Sequence, residues 1–82
     1  MREDGIMNAL IEKKIGKNIR KLRERAGLTQ DQVAARLQTN GCDITRSAVA
    51  KIEVGQRHIY PDEIILLSRI LSATYGEILD VL

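Results

Sequence analysis

Apolar residues recur every three or four positions at Ile11, Ile15, Ile19, Leu22 and Ala26, with Lys13, Lys14, Lys17, Lys21 and Arg25 between them. That spacing predicts an amphipathic first helix, closed by Gly27 as a left-handed cap, after which Leu28 turns into the core. Thr29 opens a second helix: its hydroxyl can cap the backbone while Gln32 reaches back as the other half of a capping box. Val33, Ala34 and Leu37 are its inward residues. Gly41 is the expected terminator, and Asp43 or Thr45 caps a third helix over Arg46 to Glu53, with Ala48, Val49 and Ile52 inward and Gly55 at its close. Gln56 to Tyr60 reads as an irregular connector. Pro61, followed by Asp62 and Glu63, suits the positive end of a fourth helix that buries Ile64, Leu67, Ile70 and Leu71. Thr74-Tyr75-Gly76-Glu77 is a second capping box, and a short fifth helix follows it. With no strand-like alternation and no repeat, the expected fold is all-α, five helices around one core.

The length of 82 residues allows one domain with one modest core. Two Tyr and no Phe or Trp make that core aliphatic. The net charge of +2 averages over opposed regions. Residues 13–60 hold eleven Lys or Arg against Glu24, Asp31, Asp43 and Glu53, a balance of +7, whereas residues 1–12 come to −2 and residues 61–82 to −3. A basic middle suggests a face built for a polyanion. The basic face of the first helix, however, reads as solubility. The single Cys42 offers no disulfide and fits a reducing compartment. The apolar run Ile6 to Ile11 is too short for a membrane span and follows acids, so a cytoplasmic protein is expected.

Two short capped helices meeting through a turn, apolar only on their inner faces, have the geometry that places a helix in a DNA major groove. The blocks Ile15 to Arg23, Gly27-Leu28-Thr29-Gln30, Ser47 to Gly55, and Glu63-Ile64 through Ile78-Leu79 resemble the lambda repressor-like helix-turn-helix family of phage and bacterial regulators, the Cro/C1 or XRE type. The resemblance covers about residues 15–79. It implies a compact five-helix domain over residues 15–82, with the helix-turn-helix at helices two and three, and sets residues 1–14 apart as an extension with a disordered start. Ile6, Met7, Leu10 and Ile11 there would lengthen the first helix or serve as a dimer arm.

The resemblance also assigns roles. Thr45, Arg46, Ser47, Ala50 and Lys51 match the family positions that reach base edges; Arg46 and Lys51 would present donors to guanine, Ala50 an apolar contact to a thymine methyl. Gln30, Arg57, His58 and Tyr60 match phosphate-contacting positions, and Arg23 with Glu53 a partly buried structural salt bridge. Two departures stand out. The turn from Gln38 to Ile44 is longer than the usual three or four residues, so either the second helix is extended or the loop bulges. Ser72 sits where the family often has a glycine cap.

The implied function is a sequence-specific double-stranded DNA-binding transcriptional regulator, a repressor, docking its third helix as a homodimer in the nucleoid. Ile78, Leu79, Val81 and Leu82 form the expected dimer patch, since an apolar run left exposed on a small monomer is a liability. The competing class is a protein-interaction module on the same fold, such as an antitoxin or oligomerisation domain with a protein partner. An enzyme is not expected: one His and one Cys leave no metal site, no nucleophile stands beside a base, and no glycine-rich loop invites a cofactor. No membrane and no small-molecule substrate are implied.

Overall fold

A computed structural model describes the backbone of residues 3–82 and the side chains from residue 8 onward. Its helices are α1 (Glu3–Arg25), α2 (Gln30–Thr39), α3 (Arg46–Glu53), α4 (Pro61–Ile70) and α5 (Tyr75–Leu79). Helix α1 runs without a break through residues 14 and 15, so residues 3–14 extend the first helix. The side chains of Ile6 and Met7, named for a dimer arm, lie outside the described residues. Ile15, Ile19 and Leu22 of α1 meet Val33, Ala34 and Leu37 of α2, Val49 and Ile52 of α3, Leu67 and Leu71 of the fourth helix and its cap, and Ile78 of α5 in one aliphatic core. Ala26, placed by periodicity on the same stripe, is exposed, because α1 has already ended at Arg25.

One device ends the first four helices. In each, the residue after the cap has positive φ: Gly27 at 71°, Gly41 at 84°, Gly55 at 77° and Ser72 at 50°. In each, the next N–H reaches back across the last turn: Leu28 to Arg23 (3.1 Å), Cys42 to Leu37 (2.9 Å), Gln56 to Lys51 (2.8 Å) and Ala73 to Ser68 (2.9 Å). These are Schellman motifs, which satisfy orphan carbonyls and fold the following residue back against the helix. Leu28, Cys42 and Ala73 accordingly pack on or within the core.

Ser72 alone meets this geometry with a Cβ, and left-handed backbone costs a non-glycine residue about 1–2 kcal/mol. Part of that is offset by the entropy a glycine loses on folding. Ser72→Gly should therefore stabilise the domain by about 0.5–1 kcal/mol and raise its Tm by roughly 3–6 °C. A thermal melt that stays level or falls would contradict the strain.

The long turn is built inward. Helix α2 extends to Thr39, the chain reverses at Gly41, and Cys42 and Ile44 then enter the core, at 9% and 2% exposure. The Gln38 amide donates to the Ile44 carbonyl at 2.7 Å, and burial pushes the Cys42 thiol above its ordinary value. Cys42 is thus a core residue. Thr45, not Asp43, caps α3, accepting from the Ala48 N–H at 3.2 Å. The extra residues fill the gap between the helices and leave α3 its expected bounds.

At the other end, the Thr74 and Glu77 capping box starts α5. Glu77 also accepts from Arg25 at 2.6 Å, tying α5 to the end of α1. The Arg25 hydrogen bond, helped by the Thr74 N–H, holds the Glu77 carboxyl at about 2, below its ordinary 4.5. A carboxylate with a depressed folded-state pKa contributes stability above its unfolded value and loses it as pH falls through the folded one. The Tm gap between the wild type and Glu77→Gln should therefore be constant above about pH 5.5 and close between pH 4.5 and pH 2. A gap that ignores pH would show that the pair contributes nothing.

Candidate nucleic-acid interface

Helix α3 has a buried face, Val49 and Ile52, and an outward face where Thr45, Arg46, Ser47 and Lys51 are exposed and Ala50 is half-buried. All five expected base-reading residues therefore stand on one accessible edge beginning at the helix N-terminus. The Arg46 Nε lies 3.8 Å from the Asp31 carboxylate in the first turn of α2, a pair exposed on both sides. Arg46 and Ala50 also line an open cleft with Arg20, Gln30, Asp31 and Glu53, so both helices of the pair and α1 present side chains to the same hollow.

What fixes α3 is the carboxylate at its last residue. Glu53 is 6% exposed and receives the Arg23 fork, Nε at 2.6 Å and Nη2 at 3.0 Å. The remaining Arg23 Nη1 donates to the Leu28 carbonyl at 3.0 Å, and the Glu53 hydrogen bond holds the guanidinium above its ordinary value. Gln30 joins the cluster by donating to Glu53 Oε1 at 3.0 Å. An amide carries two N–H donors. Glu53 takes one from Gln30 and leaves the other for an outside acceptor, at the N-terminus of α2 where the helix dipole also favours an anion.

The connector after α3 is organised around a second buried carboxylate, one to which the sequence assigns a helix-end charge and a family-like block but no partner. Glu63, 4% exposed in the first turn of α4, takes both Arg57 Nη groups at 3.0 Å and the Tyr60 backbone N–H at 2.9 Å. Arg57 also donates to the His58 carbonyl at 2.8 Å, and its guanidinium stands 5.7 Å from the Tyr60 ring centre. The Glu63 hydrogen bond raises the Arg57 pKa. Arg57 is thus a strut of the connector, with both Nη groups held by Glu63. His58 projects outward but its Nδ1 contacts Glu12 of α1 at 2.6 Å. Tyr60 is exposed. Acidic residues immediately after Pro61, following an Arg, were the available signal for Glu63; Glu12 carried none.

The expected dimer patch divides. Ile78 is 0% exposed within a single chain and belongs to the core, because α5 is short and turns this residue under α1 and α4; it cannot face a partner. Val81 packs against the core edge, while Leu79 and Leu82 are exposed, as are Tyr75 and Ile65.

Set against protein-family models, residues 19–78 match the model described as Helix-turn-helix, from the last third of α1 to the penultimate residue of α5. The chain belongs to the Cro/C1-type helix-turn-helix family. Comparison with curated proteins and with solved structures returns no match. The family is one of DNA-binding regulators, so the Cro/C1-type chain is a double-stranded DNA-binding, regulatory domain. Among the described residues, no helix is long and apolar enough to cross a membrane, and no three His, Cys, Asp or Glu cluster where a metal could sit.

Proposed function

We propose that this helix-turn-helix domain, residues 15–82, is a sequence-specific regulator that inserts α3 into the major groove and acts as a repressor by occluding the site it covers. The observation that carries the reading is the single exposed edge from Thr45 to Lys51, with Gln30 beside it and both anchored on buried Glu53. Arg46 and Lys51 supply donors for guanine O6 and N7, each good bidentate pair discriminating by about 1–3 kcal/mol. Gln30 sets the docking angle through a phosphate, and His58 and Tyr60 take the backbone on the far side of α3. Arg57 holds their connector in place through its pair with Glu63.

Two copies docking on a two-fold site would place their α3 helices about 34 Å apart, one helical turn. Leu79 and Leu82, with Val81 at their edge, supply the apolar contact between copies. In the cell such a dimer works in the cytoplasm, on the nucleoid.

Selection from a randomised duplex library tests the reading. A two-fold motif should emerge for the wild type, and Arg46→Ala should relax one base pair in each half-site while Gln30→Ala weakens all sequences alike. If the library stays unenriched, the domain is an interaction module and the reading falls.

A further inference from the structure

The basic surface does not stop at the helix-turn-helix. Helix α1 crosses the end of α3 so closely that its Gly16 lies against the Ile52 and Glu53 carbonyls, and Gly55, just past α3, lies against the Lys13 backbone. Four and seven residues beyond Lys13 come Lys17 and Arg20, neighbours on one helical stripe. Arg20 lines the same cleft as Arg46, Ala50 and Gln30. The stripe therefore borders the face on which α3 presents its reading edge. All three side chains are exposed, and among the described residues neither Lys13 nor Lys17 has a carboxylate within ion-pair distance; Arg20 has only the exposed, loose Glu24 at 3.5 Å.

From this arrangement we propose that Lys13, Lys17 and Arg20 form a second phosphate track, in which α1 lies along the sugar-phosphate backbone flanking the groove that α3 enters. The partner is the duplex already engaged by α3, so the inference rests on the function proposed above. Exposed cations on a stripe continuous with the reading edge gain most from a polyanion, since each phosphate they neutralise releases condensed counterions. Lysines are suited to this role, being compact point charges on flexible stems that need no fixed register. The adjoining flank of α1, turned toward α5, differs: there Lys21 shares a hollow with Glu77 and Asp80, and Lys14 donates to the Val81 carbonyl.

The experiment is the salt dependence of affinity for one fixed duplex, the sequence enriched by the wild type, measured by fluorescence anisotropy. In Lys13→Ala/Lys17→Ala the slope of log K against log salt should become shallower by about 1.8, with roughly five-fold lost affinity per residue near physiological salt and the selected motif unchanged. Lys21→Ala, on the acidic flank, should keep the wild-type slope. If the double variant keeps the wild-type slope while the wild type itself is steeply salt-dependent, the track is refuted and the reading of α3 stands. If the wild type binds no duplex, both fall. All these substitutions replace exposed helical residues by Ala, and an unchanged melt confirms that folding is not what was read.

Discussion

Glu53→Ala is expected to lower stability by about 3 kcal/mol, which at 4–8 °C per kcal/mol is a Tm fall of more than roughly 12 °C. For a domain of this length the total is on the order of 4–12 kcal/mol, so the loss is a large share of it. The cause is what the carboxylate leaves behind. Arg23 keeps its charge with its side chain only 13% exposed, and its fork loses both acceptors. A buried pair is weak evidence of net stabilisation, but removing one partner strands the other. Arg23→Met/Glu53→Leu should therefore recover most of the lost stability by replacing the pair with apolar volume. That double variant still leaves Gln30 without its acceptor, so its affinity for the selected duplex should remain below the wild type. A Glu53→Ala melt shifted by only a degree or two would show that Arg23 finds water and that α3 is held by packing alone.

The buried carboxylates of Glu53 and Glu63 differ in how far the sequence reveals them. The Arg23 and Glu53 pair is legible because the resemblance assigns the two residues a shared structural role, at the ends of helices whose bounds follow from local signals. Caps and terminators are local in the same way. Thr29 with Gln32, Thr74 with Glu77, and Gly27, Gly41 and Gly55 all act within a few residues of themselves, and the structure uses each as expected. Glu63 was read as a helix-end charge because nothing nearby says that α4 is packed so as to bury its first turn; that depends on residues far away in the chain. The same reason put Ile78 on a surface patch. Apolar identity was clear, but which apolar residues of α5 face inward is decided by where α1 and α4 pass, and only a packed structure supplies that. The long turn was visible as a length, yet its solution, burying Cys42 and Ile44, required knowing that a gap between α2 and α3 had to be filled.

Gly16→Ala should cost about 3 kcal/mol, although glycine to alanine inside a helix ordinarily gains 0.5–1 kcal/mol. A Cβ at this position would overlap the Ile52 carbonyl oxygen and lie 2.9 Å from the Glu53 carbonyl carbon and oxygen. These are backbone atoms at the end of α3, with no flexible side-chain tip to swing aside. Either α1 or α3 must move, and any movement stretches the Arg23 and Gln30 hydrogen bonds to Glu53 that orient the reading edge. Gly76→Ala is the matched control. There the nearest atom to the new Cβ is the Thr74 hydroxyl at 3.7 Å, an ordinary contact, so α5 should be unchanged or gain the usual increment. Opposite signs for one chemical change, read in the same thermal melt, separate close helix crossing from helix propensity. Equal and favourable shifts at both positions would mean that α1 and α3 are farther apart than the fold requires, and the account of how α3 is held would have to be given up.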